Sequence, residues 1–421
     1  MKKAVLLLGM VTLIAGCIYL KNADMDTVLL EEQVMPKVLS VEEYPIESTE
    51  EVTKLQEEVT EETDALLKQV QEEAETENVQ REEASGVHAG GYAFSKLTIE
   101  EQKVYVQLLD SLLNYEKETT LSTTDAAVID KAFSCVMLDH PEIFYIDGYK
   151  YTEYTSGGNV EKIVFSGNYL YEESEKERRL QLIEAAADTI LCGVPDTEDE
   201  YEKVKYLYDT IINQTEYRLS SVDNQNICSV FLHGESVCQG YAKAMQYLLQ
   251  QLDMESVLVL GTVTGGEGHA WNLVLIHDKW YHLDATWGDA FYLFGEEEAL
   301  SGEEIGLINY DYLCVTTQQL TKTHQVNMPV ELPECDSMTD NYYVREGVYF
   351  TSLDEAKLGE VFGRALQDGQ QVVTIKCSNA DVYEQISRLL LDEQKIFEYL
   401  SREGSIAYTD NQEQCCLTFW L

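Results

Sequence analysis

Basic residues are scarce in this 421-residue chain: 29 Lys plus Arg stand against 76 Asp plus Glu, a formal net charge of -47. That balance repels nucleic acid and anionic membrane faces over roughly a Debye length, which excludes nucleic acid as a partner. Long apolar runs are also few. The run at the N-terminus, AVLLLGMVTLIA after Lys2 and Lys3, is 12 residues long. It is too short to span about 30 Å of hydrocarbon and has the length of a secretory h-region. Cysteine is thin as well, with ten in the whole chain, too few for a disulfide scaffold. What the chain does have is 45% apolar and 10% aromatic residues, enough to bury sizeable cores over two or three domains.

The apolar run ends in Leu13-Ile14-Ala15-Gly16-Cys17. This resembles the bacterial lipobox, and the resemblance implies cleavage before Cys17, lipid on that cysteine, and an extracytoplasmic chain anchored to the bacterial cell membrane. Residues 1–17 are thus expected to be a lipoprotein signal peptide. Nine cysteines remain, an odd number, so one thiol stays unpaired even if all the others bridge. From Lys21 to Gly86 there are 20 Asp plus Glu against 5 Lys plus Arg, no Phe or Trp, and only Tyr44. Such a segment buries too little apolar area to offset its ordering entropy, and 18–90 is expected to be an acidic, disordered tether.

The folded body is expected from residue 91. Thr98 with Glu101 forms a capping-box signature ahead of the stripe Val104, Leu108, Leu112, Tyr115. A second helix over 124–139, the aromatic-alternating strand in DHPEIFYIDGYKYTEY, short strands near 162–165 and 169–171, and a helix from Glu173 complete an α+β unit over 91–194. A second unit, 195–328, opens with the helix EDEYEKVKYLYDTIINQT and continues through the amphipathic helix YAKAMQYLLQQL into strands SVLVLGTV, HAWNLVLIH and KWYHLDATW. The third, 329–421, alternates strand and helix from YYVREGVYF to CCLTFWL, a small α/β domain with no recognisable reactive cluster.

Chemistry concentrates in the middle unit, at Cys238, His269 and Asp284. Cys238 starts a helix, where free backbone N–H groups and the positive end of the dipole favour a thiolate. His269 and Asp284 lie on consecutive strands joined by a tight turn at His277-Asp278. A two-residue turn pairs Trp271 with Asp284 and leaves His269 on the same face as the acid, because side chains alternate with period two. Diagonal neighbours about 7–8 Å apart are within reach of an imidazole–carboxylate hydrogen bond. The roles follow. Asp284 orients His269, His269 pairs with the Cys238 thiolate, and Cys238 attacks a carbonyl carbon. The Cys238 N–H is the first expected oxyanion donor, with Gln225 or Asn226 as candidates for the second. Trp271, Asn272 and Trp287 are expected as cleft walls. His282 reads as a packing histidine. The Cys228, His233, Cys238 spacing fits no common zinc site, so no metal and no cofactor are expected.

The runs VCQGYAKA, HAWNLV and WYHLDATWGD resemble the three boxes of the transglutaminase-like superfamily. NQNICSVFLHGESVC resembles the loop before the nucleophile in bacterial members, TTQQLTKTH their closing segment, and LDHPEIFYI the N-terminal region of Gram-positive surface members. The resemblance implies a papain-like core, a Cys, His, Asp triad in that chain order, and acyl transfer from a glutamine or peptide carbonyl to an amine or water. The expected fold is α+β, a papain-like, transglutaminase-like core between an α+β N-terminal and a small α/β C-terminal domain. The expected function is that of a cell-surface cysteine peptidase, amidase or acyltransferase acting on a protein or peptide substrate, with cell-wall-associated ones among the candidates. The alternative is a noncatalytic protein- or cell-wall-binding module on the same scaffold.

Overall fold

The first long helix starts where the sequence places its cap. Thr98 Oγ1 accepts the Glu101 N–H and the Glu101 carboxylate accepts the Thr98 N–H, which opens α1 (Ile99–Leu113). The computed structural model describes residues 90–289, 308–401 and 404–421, together with the backbone of 37–45. The expected signal peptide, Cys17 and most of the expected tether lie outside the described residues. Lys37–Pro45, inside that expected tether, differs from the expectation: it forms a strand, β1. Its sequence, KVLSVEEYP, carries β-branched and aromatic residues, and it runs parallel to β3.

The N-terminal unit continues with β2 (Thr119–Thr120), α2 (Ala126–Asp139), β3 (Ile146–Ser156), β4 (Asn159–Tyr169) and α3 (Glu173–Leu191). Its sheet has the order β1-β3-β4-β2. The two short strands expected near 162–171 are one strand, kept extended by antiparallel pairing with β3. The β3–β4 turn needs Gly157 and Gly158, both at positive φ, the backbone a two-residue hairpin turn demands.

The middle unit comprises α4 (Glu200–Gln214), the paired short strands β5 (Glu216–Tyr217) and β6 (Glu235–Ser236), and α5 (Cys238–Gln251). Five strands follow: β7 (Ser256–Val263), β8 (Gly268–Ile276), β9 (Lys279–Leu283), β10 (Leu313–Val315) and β11 (His324–Val326). These form one antiparallel sheet in the order β10-β9-β8-β7-β11. Alternation gives it two dissimilar faces. Leu258, Leu260, Ala270, Val274 and Leu283 join the core that contains Tyr241, Met245 and Leu248 of α5. Val259, Trp271 and Leu273 form a separate cluster with Trp287, Tyr312, Leu320 and Cys335 on the other face. The first of these cores also contains Leu108 of α1 and Val136 of α2, so it runs across residue 195 without a break.

The C-terminal unit has its own core, built on a mixed sheet in the order β12-β13-β15-β14 with β12 (Tyr349–Phe350), β13 (Val372–Cys377), β14 (Ala407–Asn411) and β15 (Cys416–Trp420). Helices α6 (Glu355–Gln367) and α7 (Ala380–Ser387) complete it. The expected strand YYVREGVYF is mostly not a strand. Asn341 caps a helical turn at Tyr342–Arg345 by accepting the Tyr343 N–H, and only Tyr349–Phe350 is extended. This unit is tied to the middle one by a buried ion pair, Lys376 Nζ to Asp311 Oδ1 at 2.7 Å, and by the Tyr310–Tyr342 stack at 3.8 Å.

Candidate active site

Cys238 is the first residue of α5, following Val237 in extended conformation, and no side chain caps the helix. The helix start is wrapped by the loop before it. Val237 N–H donates to Asn224 O, the Ser229 and Ser236 hydroxyls lie 2.6 Å apart, and a Cβ on Gly240 would collide with both. A side chain at 240 would push α5 off this loop, so glycine there sets the position of the nucleophile's helix. The Cys238 thiol is half-buried, whereas most of the other described cysteines are buried.

The β8–β9 turn is the two-residue turn that the parity argument requires. Ile276 pairs with Lys279, and His277 and Asp278 both take positive φ, as a type I′ turn needs. Asn272 pairs with Leu283, so Trp271 stands opposite Asp284 and His269 two residues further along the same face. His269 Nε2 lies 2.7 Å from Asp284 Oδ2, with His269 2% and Asp284 1% exposed. Cys238 is the ring's other charge partner, and with Nε2 turned to Asp284, Nδ1 is the nitrogen left for the sulfur.

Asp284 sits just beyond β9 and caps the short helix Ala285–Gly288. Its Oδ1 accepts the Thr286 N–H at 2.9 Å and the Trp287 N–H at 3.1 Å. Its own N–H donates to Tyr312 O, and its carbonyl accepts the Tyr208 hydroxyl. The electrostatics follow from burial and these partners. Burial alone would depress His269, but the Asp284 carboxylate and the Cys238 sulfur favour the charged ring and raise its pKa to about 10. Burial would raise Asp284, but the His269 and His324 rings hold it well below the usual carboxylate range. The arrangement suits a thiolate–imidazolium pair oriented by an ionised acid.

The remaining expected residues divide. Trp271 is 1% exposed, stacks 6.0 Å from the His269 ring, and donates its Nε1–H to His282 Nδ1. Trp287 lies 6.3 Å from His269, and its buried Nε1–H has no hydrogen-bond partner among the described residues. Asn272 is not a cleft wall. Alternation turns it to the opposite face, where its Nδ2 donates to Ala242 O on α5. Gln225 is exposed, and the Asn226 side-chain oxygen is engaged with the Cys228 N–H at 2.9 Å. His282 has both ring nitrogens in contact, Nδ1 with Trp271 and Nε2 with Thr317 Oγ1, and burial pushes its pKa down to about 3.

One residue at the site was not singled out in the sequence, although the closing segment TTQQLTKTH ends on it. His324, at the start of β11, places Nε2 3.0 Å from the same Asp284 Oδ2 that faces His269. Its ring lies 4.9 Å from Trp287 and 5.1 Å from Trp271. His269, Asp284 and His324 bring three possible ligand atoms within 4.8 Å of one another, the one such group among the described residues. The two Nε2–Oδ2 separations, 2.7 and 3.0 Å, are hydrogen-bond distances, shorter than the roughly 3.3 Å between two ligand atoms that each sit about 2.0–2.1 Å from a tetrahedral zinc, and the oxygen between the rings already takes both N–H groups. The group therefore reads as a hydrogen-bonded chain rather than a ligand cage.

Residues 192–285, which contain Cys238, His269 and Asp284, match the family model described as the transglutaminase-like superfamily. The middle of this chain is thus similar to transglutaminase-like domains. Solved structures similar to the chain include a TGase, at 14% identity over 38% of this chain and 47% of that one, TM-score 0.25. A candidate cysteine protease from Cytophaga hutchinsonii is 15% identical over 33% of this chain and 62% of that one, TM-score 0.22. The periplasmic domain of TgpA from Pseudomonas aeruginosa, bound to ethylmercury, is 15% identical over 30% of this chain and 57% of that one, TM-score 0.22. The chain thus spans less than two thirds of each of these. No curated protein sequence matches it. The matched segment ends at residue 285, so His324 lies outside it.

Proposed function

We propose that the transglutaminase-like domain is a cysteine acyltransferase or amidase acting on a protein or peptide. The observation that carries this reading is the 2.7 Å contact of His269 Nε2 with a buried, ionised Asp284, with Cys238 at a helix start as the ring's other neighbour. The Cys238 thiolate attacks the carbonyl carbon of an amide, and charge moves to the carbonyl oxygen, which the Cys238 N–H at the helix start is placed to receive. His269 gives its proton to the departing amine as the C–N bond breaks, leaving a thioester. Water or an amine then attacks the thioester, His269 takes the nucleophile's proton, and the Cys238 sulfur leaves as thiolate. The surface location, with lipid on Cys17 and cell-wall-associated peptides within reach, belongs to this same proposal. No described helix is long and apolar enough to cross a membrane.

The test is site-resolved alkylation with iodoacetamide at pH 6, read by peptide mass spectrometry. Cys192, exposed on the surface, is the internal control. Cys238 should react at least about tenfold faster than Cys192 and lose that lead in His269→Ala, and a glutamine-peptide library should yield a Cys238 thioester that an added amine or water releases. Equal reactivity of the two thiols and no acyl adduct would replace the enzyme reading with a noncatalytic binding module on this scaffold.

A further inference from the structure

Asp284 is held from four directions. Oδ1 takes two backbone N–H groups, and Oδ2 takes the ring nitrogens of both His269 and His324. We infer that His324 is a positioning residue, whose Nε2–H fixes the Asp284 carboxylate in the plane and rotamer that aim Oδ2 at His269. This rests on the acyl-transfer reading and adds a member to that site from outside the matched segment.

The proton assignment follows from the partners. An ionised carboxylate can only accept, so His324 Nε2 carries the hydrogen. Nδ1 lies 2.8 Å from Thr323 Oγ1, and the ring is enclosed by Trp271, Trp287 and Tyr312, surroundings that favour a neutral imidazole. The Thr323 hydroxyl then donates to Nδ1, and the buried Tyr312 OH lies 3.4 Å from Thr323 Oγ1. With both nitrogens committed, His324 has no lone pair or proton to offer Cys238, so it acts through Asp284 alone.

Its position is fixed by long-range pairing. β11 lies at the sheet edge with His324 opposite Val263 of β7, and Asn327 N–H donates to Leu260 O just beyond it. Without the His324 donor, Oδ2 would keep only His269 as a partner, and the carboxylate would be free to turn toward the Thr286 and Trp287 N–H groups. His269 would lose its orientation without losing its charge partner. The ionisable groups that face or adjoin His324 are Asp284, His269, His282 and Tyr312.

The experiment uses the full chain and the iodoacetamide reaction of Cys238, so it needs no identified substrate. His324→Leu removes the donor, and His324→Gln restores an N–H at the reach of Nε2. His324→Leu should slow Cys238 alkylation at pH 6 about tenfold and change its pH profile, as loss of a hydrogen bond to a charged group predicts. His324→Gln should return the rate to within about threefold of the unmodified chain. Cys192 should react alike in all of them. Should the Leu variant not fold, His324→Asn, whose amide falls short of Oδ2, takes its place with the same expected slowing. Equal rates in the donor-bearing and donor-lacking variants overturn the positioning role while leaving Cys238 and His269 as they stand. A Cys238 rate unchanged in His269→Ala overturns the acyl-transfer reading itself, and the inference with it.

Discussion

Asp284→Asn separates the charge of the acid from its shape. Asparagine is among the best N-cap residues, so its side-chain oxygen can keep the Thr286 and Trp287 N–H groups and the helix Ala285–Gly288 stays capped. The amide then presents N–H groups to two ring nitrogens that now face a carboxylate oxygen. His269 must accept through Nε2, carry its hydrogen on Nδ1 and remain neutral. In the unmodified site the ring's pKa is raised from 6.5 to about 10. That elevation corresponds to about 5 kcal/mol of preference for the protonated ring, of which Cys238 supplies part. Asp284 is the larger of the two attractions that charge the ring, so the thiolate–imidazolium pair and turnover through it should fall by about three to four orders of magnitude, the upper end being the effect of the same replacement in a serine triad.

The readout is Cys238 alkylation at pH 6 and peptide turnover, each beside a urea unfolding curve. Stability provides a second sign. The folded state holds the His269 proton more tightly than the unfolded chain does. The pair therefore stabilises fully below about pH 6.5, and its contribution is lost as pH rises toward 10. The unmodified protein should lose stability over that interval, and Asp284→Asn should lose much less. A variant that labels like the unmodified chain at pH 6, with the same pH dependence of unfolding, refutes the assignment of Asp284 as the group that charges His269.

Two other perturbations follow from the fold and the sequence. Asp311→Ala leaves Lys376 charged and buried without its partner, and should destabilise the protein by about 3–5 kcal/mol in urea unfolding, while Asp311→Leu with Lys376→Met should recover most of that; a loss under about 1 kcal/mol in the single variant would show the pair to be solvated. Cys17→Ala, motivated by the LIAGC segment, should move the protein from the detergent-extracted membrane fraction to the soluble exported one with its Cys238 reactivity intact, and unchanged partitioning would remove the lipid-anchor proposal.

The site was legible where local rules decide geometry. A cysteine at a helix start and a period-two count across the turn at His277-Asp278 place Cys238, His269 and Asp284 from sequence alone, because a one-residue slip would turn the acid to the other face. The same count, applied to Asn272, puts it opposite Trp271. Reading the two neighbours as one wall set aside the alternation that had placed the histidine. The strand expected over YYVREGVYF failed at Asn341, whose side chain offers the next amides a cap and so begins a helical turn. His324 was not legible, since it reaches Asp284 only through the pairing of β11 with β7, sixty-one residues from its partner Val263 in the register, and no local period encodes which edge a three-residue strand will join.

The N-terminal unit matters to the site for a related reason. On α5 the side chains after Cys238 that face α2 are polar as well as apolar. Gln246 Nε2 donates to Leu138 O at 2.8 Å, and Gln250 Nε2 donates to Asp139 O at 2.9 Å. The Asp139 carboxylate in turn accepts the Ala93 and Phe94 N–H groups and the Tyr105 hydroxyl. These bonds satisfy carbonyls at the end of α2 that would otherwise be buried without partners, at a cost of about 1–3 kcal/mol each. The helix that carries Cys238 is therefore held from both sides, by the sheet that brings His269 and Asp284 on one and by the end of α2 on the other. The order of elements along the sequence suggests a boundary near residue 195, but hydrogen bonds and a continuous core cross it, and the position of the nucleophile depends on the unit before it.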